Sequence, residues 1–140
     1  MTDVDVHQWC QTAFNKAWEG LASQGWEKCT DQEGSCVWAM EMEGGEVRHC
    51  AVGWLIDPEK MPPMDEYGVV QGEYETALAE ELLIPELPTL NDVEWHYHHC
   101  KTFLGELQLA HDTNYTHIGM NMVGAMERVA AKYGLKVPND

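Results

Sequence analysis

Apolar residues recur at helical spacing from Asp3 to about Ala22. Trp9, Cys10, Ala13, Phe14, Ala17, Trp18 and Leu21 share one stripe there, with polar residues opposite. This predicts an amphipathic helix, with Thr2 and Asp5 as a capping arrangement and Gly20 or Gly25 to close it. From Cys36 to Glu43 the period drops to two, with Cys36, Trp38, Met40 and Met42 on one face and Glu41 and Glu43 on the other. That pattern predicts a half-buried strand. Gly44 and Gly45 then suit a tight turn, and "EVRHC" returns as its partner. "AVGWLI" at 51–56 is apolar throughout and suits either an extension of that strand or a short buried helix. The prolines of "DPEKMPPMDEYG" predict a loop, and Glu73 to Leu83 has a helical pattern that "IPELP" ends.

A longer helix is predicted from Asn91 or Asp92 to about His111, its stripe passing through Val93, Tyr97, Cys100, Phe103, Leu104 and Leu107. The last runs from about Thr116 to Tyr133 through Ile118, Met122, Met126, Val129 and Ala130. Gly134 is placed for a left-handed cap, with Leu135 to pack beyond it and Pro138 to stop continuation. The expected fold is α+β: about four helices packed with a small antiparallel hairpin or three-stranded meander. With 140 residues the chain fits a single domain, 1–140.

Charge changes this picture most. Asp and Glu number 24 against 8 Lys and Arg, a formal net charge of −16. Nucleic-acid affinity comes largely from bases that displace counterions from phosphates, so direct DNA or RNA binding is not expected. The imbalance is densest from Asp57 to Glu94, where Lys60 is the only base. General solubility accounts for such a charge as readily as function does. The sharper reading is an acidic interaction face carrying Glu59, Asp65, Glu66, Glu73, Glu75, Glu80 and Glu81, docked on a basic protein. No apolar run approaches the roughly 20 residues that span a bilayer, and "MTDVDVHQWC" lacks a signal core, so neither membrane association nor export is expected. Five cysteines without a CxxC pair point to reduced thiols in a cytoplasm rather than a disulfide framework.

"EWHYHHCKTF" at 94–103 holds the densest set of metal-ligand residue types. His96 and Cys100 are one helical turn apart and His96 and His99 three residues apart, so pairs of them share a face. Two or three ligands do not complete a zinc site, and help from His49, His111, Cys50 or an acid would be needed. The plainer expectation is Cys100 in the apolar stripe, His98 and His99 toward water and His96 at the border. No metal and no cofactor is therefore expected.

"CVW" at 36–38, "CAVGWLID" at 50–57, "MDEYG" at 64–68, "LQLAHD" at 107–112 and "AAKYGLKVP" at 130–138 form a second set of features. Together they resemble small uncharacterised proteins encoded by tailed phages and prophages. Those proteins share a Cys-Ala-Val-Gly-x-Leu-Ile segment after a hairpin and a Leu-Gln-x-x-His-Asp helix end. "MDEYG" departs from the Met-Glu-Gly element of that group. The resemblance implies no activity; it implies a phage-borne protein acting inside a bacterial host. Its motifs single out Cys50, His111 and Asp112 as catalytic candidates, a thiol with a base and an acid. Neighbouring helical residues diverge by about 100 degrees, so Asp112 is expected to be badly placed to orient His111. Cys50 as core filler is the plainer account.

The leading expectation is a non-enzymatic accessory factor that binds a basic host protein, in its most specific form an inhibitor of a host nucleic-acid-handling or defence enzyme. The alternative is a small thiol- or metal-dependent hydrolase using Cys50 and His111. A homo-oligomer is a third arrangement that Trp-rich and Met-rich helices permit.

Overall fold

The computed structural model describes residues 3–30, 37–72, 82–87, 94–112 and 121–138. Within them lie helix α1 (Asp3–Ser23), strands β1 (Ala39–Glu41) and β2 (Val47–His49), a 3-10 turn (Gly53–Leu55), strand β3 (Val69–Val70), and helices α2 (Glu94–Asp112) and α3 (Met122–Tyr133). The class is α+β. The described residues hold three α-helices rather than about four. Most of the helix expected over Glu73 to Leu83 lies outside them, and Leu83 itself is extended, bridging antiparallel to Ile56.

The predicted stripe of α1 is the centre of the core: Trp9, Cys10, Ala13, Phe14, Ala17, Trp18 and Leu21 are all buried. This helix packs against α2, α3 and the 3-10 turn, while α2 and α3 pack on each other. Cys100, Phe103, Leu104 and Leu107 of α2 meet Met122, Ala125, Met126, Val129 and Ala130 of α3 in the same cluster. Helix α3 starts on Asn121, whose side chain accepts from the Gly124 N–H. It ends as expected, with Gly134 at φ 66° and the Leu135 N–H bonded to the Ala130 carbonyl at 2.8 Å.

The sheet is antiparallel in the order β2-β1-β3. Gly44 and Gly45, at φ 94° and 89°, make the expected hairpin turn. The third strand lies just past the proline-rich loop of residues 57–68, at positions the sequence pattern assigns to no element. Asp65 folds it: its carboxylate accepts from the Tyr67 and Val69 N–H groups at 2.8 and 3.0 Å, an Asx turn that aims Val69 and Val70 at β1. "AVGWLI" resolves as the 3-10 turn. Gly53 is required there because a Cβ would lie closer than 3.0 Å to the Trp38 carbonyl.

Gln24 joins α1 to the outer edge of β2. Its amide accepts from the His49 N–H at 3.0 Å and donates to the His49 carbonyl at 2.7 Å, taking the place of a neighbouring strand. The same oxygen accepts from the Trp54 indole at 3.2 Å, which fixes that ring flat on α1 at Gly20.

Candidate functional site

The C-terminal turn of α2 brings the motif residues together, in a role the motif alone does not show. Gln108, His111 and Asp112 face residues 28–29 and 50–53. His111 is fully buried, and both ring nitrogens are in use: Nδ1 lies 2.7 Å from Asp112 Oδ1, and Nε2 accepts from the Cys29 N–H at 3.0 Å. Because Nε2 must offer its lone pair to a backbone donor, the proton sits on Nδ1 and is donated to the carboxylate. The expected poor placement of Asp112 is thus corrected. Asp112 is the last residue of α2, and its short side chain turns back to the ring edge that carries Nδ1.

Gln108 extends the network, donating to Asp112 Oδ1 at 2.8 Å and accepting from the Val52 N–H at 3.1 Å. Lys28 donates to the Asp112 carbonyl at 3.0 Å, which occupies one of the unpaired acceptors at the helix end. These contacts lock three chain segments to one helix terminus. Gln108 lies inside the quoted "LQLAHD"; its four-residue spacing from Asp112 is the signal that could have found it.

Cys50 lies beside this junction, buried, with its sulfur accepting from the Gly53 N–H at 3.2 Å. Burial pushes its thiol up to about 12, opposed in part by the Gly53 N–H and by Gln108 and reinforced by Cys29 and Asp112. A nucleophile needs a thiolate and an available base, and here the thiol is held neutral while His111 Nε2 is already taken. The geometry is that of a polar clamp within the core.

The histidine run is divided as its helical phase predicts, with two refinements. Cys100 is fully buried, and its thiol is driven up first by a hydrogen bond with the Cys10 thiol and then by burial. His96 is buried as well, deeper than a border position. His98 is exposed, and His99 is half-buried with its ring edge-on to Tyr133 at 5.5 Å. Among the described residues, no three His, Cys, Asp or Glu side chains stand together as a metal site, so His96, His99 and Cys100 are not brought into one.

Of the acidic candidates, Glu59, Asp65 and Glu66 are exposed, while Glu73, Glu75, Glu80 and Glu81 lie outside the described residues. The sheet adds acids that the reading of residues 57–94 missed. The Glu41 N–H donates to the Gly68 carbonyl at 2.8 Å, so the Asp65–Gly68 turn sits against the hairpin. Exposed Glu41, Glu43 and Glu46 thereby join Asp65 and Glu66 at one end of the sheet. Tyr67, 73% exposed, stands among them. Asp65 has an inward task, ordering its turn, whereas among the described residues no side-chain hydrogen bond holds Glu66 or Tyr67.

Among the described residues no helix is long and apolar enough to cross a membrane. No family model matches the chain, and neither a curated protein nor a solved structure does.

Proposed function

We propose that the chain is a non-enzymatic, phage-type accessory factor that docks through the acidic end of its sheet on a basic protein of a bacterial host. One observation carries this reading: β1, the hairpin turn and the Asp65 turn gather Glu41, Glu43, Glu46, Asp65 and Glu66 around an exposed tyrosine. Clustered acids steer a basic partner and confer register, and a tyrosine in their midst supplies apolar contact area with a hydrogen-bonding tip. A surface that normally grips nucleic acid fits that charge, which favours inhibition of a nucleic-acid-handling or defence enzyme. The hydrolase reading at Cys50 and His111 draws no support from the geometry, since both side chains are committed to the core.

The test compares two sets of reversals in capture from host lysate. One changes Glu43, Glu46 and Glu66 to Lys, and the other changes Glu19, Glu27 and Glu127, exposed on or beside the helices. Basic partners should be retained at about 0.05 M salt and released by about 0.5 M, as screening requires. They should be lost with the first set and kept with the second. Equal retention by both variants contradicts the proposal.

A further inference from the structure

A cleft lined by none of the acidic-end residues lies between α1 and the segment that follows β2. It encloses about 320 Å³ and is walled by Trp54, Ile56, Met61 and Ile84, with His49 and Lys16 as its polar members. That volume is at the lower end of small-molecule sites, which are mostly apolar with a few polar groups that fix orientation. The walls are held in place by contacts already described and by two more. The Asp57 N–H donates to the Leu82 carbonyl and the Ile84 N–H to the Leu55 carbonyl, both at 2.9 Å, so residues 82–84 are pinned to residues 55–57. Trp54 is fixed by Gln24 and by its seat on Gly20, and its ring lies tilted against His49 with centroids 4.4 Å apart.

The chemistry of the lining selects a ligand. Among the described residues that line it, Lys16 is the only fully charged side chain, in a chain with a net charge of −16. No ion pair engages it among the described residues. His49 is held toward its neutral form, first by burial and then by the nearby Lys16 ammonium. Its Nδ1 is buried without a hydrogen-bond partner. A phosphate would meet one lysine and an apolar wall in place of the several donors it needs. A wholly apolar molecule would make no use of the cation. The group that uses both features is one carboxylate on a small apolar body.

We infer that this cleft binds a small apolar monocarboxylic acid, its flat or branched body against Trp54, Ile56, Met61 and Ile84 and its carboxylate on Lys16. The site is independent of the acidic docking face, and either can fail without the other.

The test titrates the full chain with 4-phenylbutyrate and indole-3-acetate, and with their primary amides, at low ionic strength. Heat of binding gives the affinity, and His49 and Trp54 ring resonances locate the site. Single-site saturation by both acids is expected, with acid favoured over amide by about fivefold, the scale of one partly exposed ion pair. Lys16→Gln, at an exposed position that leaves the fold intact by circular dichroism, should bring acid and amide to parity while amide affinity stays put. Absence of saturable acid binding overturns the inference. So do shifts confined to residues other than His49 and Trp54, or an acid preference that survives Lys16→Gln.

Discussion

Two polar regions of this chain differ in nearly every physical respect. At the end of α2, buried His111 and half-buried Gln108 and Asp112 bond to one another and to the backbone N–H groups of Cys29 and Val52. At the end of the sheet, Glu41, Glu43, Glu46 and Glu66 are exposed beside Tyr67. The first resembles catalytic chemistry in sequence and serves packing in space. The second is inconspicuous in sequence, spread over two segments that only the fold joins. Buried polar groups are costly unless satisfied, so a fully satisfied cluster specifies structure. Charges left in water cost the fold little and remain available to a partner.

The comparison predicts that damage at the junction costs stability and damage at the sheet end costs binding. The largest effect is expected at Cys50. With its thiol near 12 rather than 9.0, the thiolate at pH 8 is scarcer by roughly a thousandfold. Alkylation of Cys50 by iodoacetamide, followed by mass spectrometry, should be slowed at least about a hundredfold relative to the urea-unfolded chain. Rapid native labelling would restore a reactive thiol to the junction.

Next in size is His111→Ala, which orphans the Cys29 N–H, removes one of two donors to Asp112 Oδ1 and opens a cavity. It should cost about 3 kcal/mol in urea denaturation. A loss below about 1 kcal/mol would remove the junction's structural role. By contrast, changing Glu43, Glu46 and Glu66 to Lys should move stability by no more than about 0.5 kcal/mol by the same measurement, these being exposed positions. A larger loss would show that the sheet end is built for folding too.

The smallest effect concerns pH. Burial, with the Lys16 ammonium nearby, makes the folded state disfavour protonation of His49, so the unfolded chain binds the extra proton more readily. Its share of stability is complete above the unfolded value of 6.5 and is lost as pH falls through the lower folded value. His49→Gln should flatten the thermal stability profile in that window. An unchanged slope would place the acid sensitivity elsewhere.

The helices were legible because their information is local. The stripe from Trp9 to Leu21 and the Gly134 end can be read without knowing what they pack against. The hairpin was legible for the same reason, through Gly44 and Gly45. Strand β3 was not, because two valines carry no periodicity and their pairing depends on an Asx turn at Asp65. Gln24 was invisible because its partner is the backbone of His49, 25 residues away. The Asp112 contact eluded an argument from helical direction that suits mid-helix residues and fails at a terminus. The acidic end was read only in part, since Glu41, Glu43 and Glu46 join it through contacts across the sheet.

The most direct measurement places a photo-crosslinking amino acid at Tyr67, and in a control at Leu109, which is 55% exposed on α2. Each full-length variant is irradiated in host lysate at low salt, and its adducts are identified by mass. Position 67 should yield a small set of basic proteins that disappears at high salt and when Glu43, Glu46 and Glu66 are changed to Lys, while position 109 does not yield that set. The same adducts from both positions, or adducts indifferent to salt and to the reversals, would contradict docking through the acidic end of the sheet.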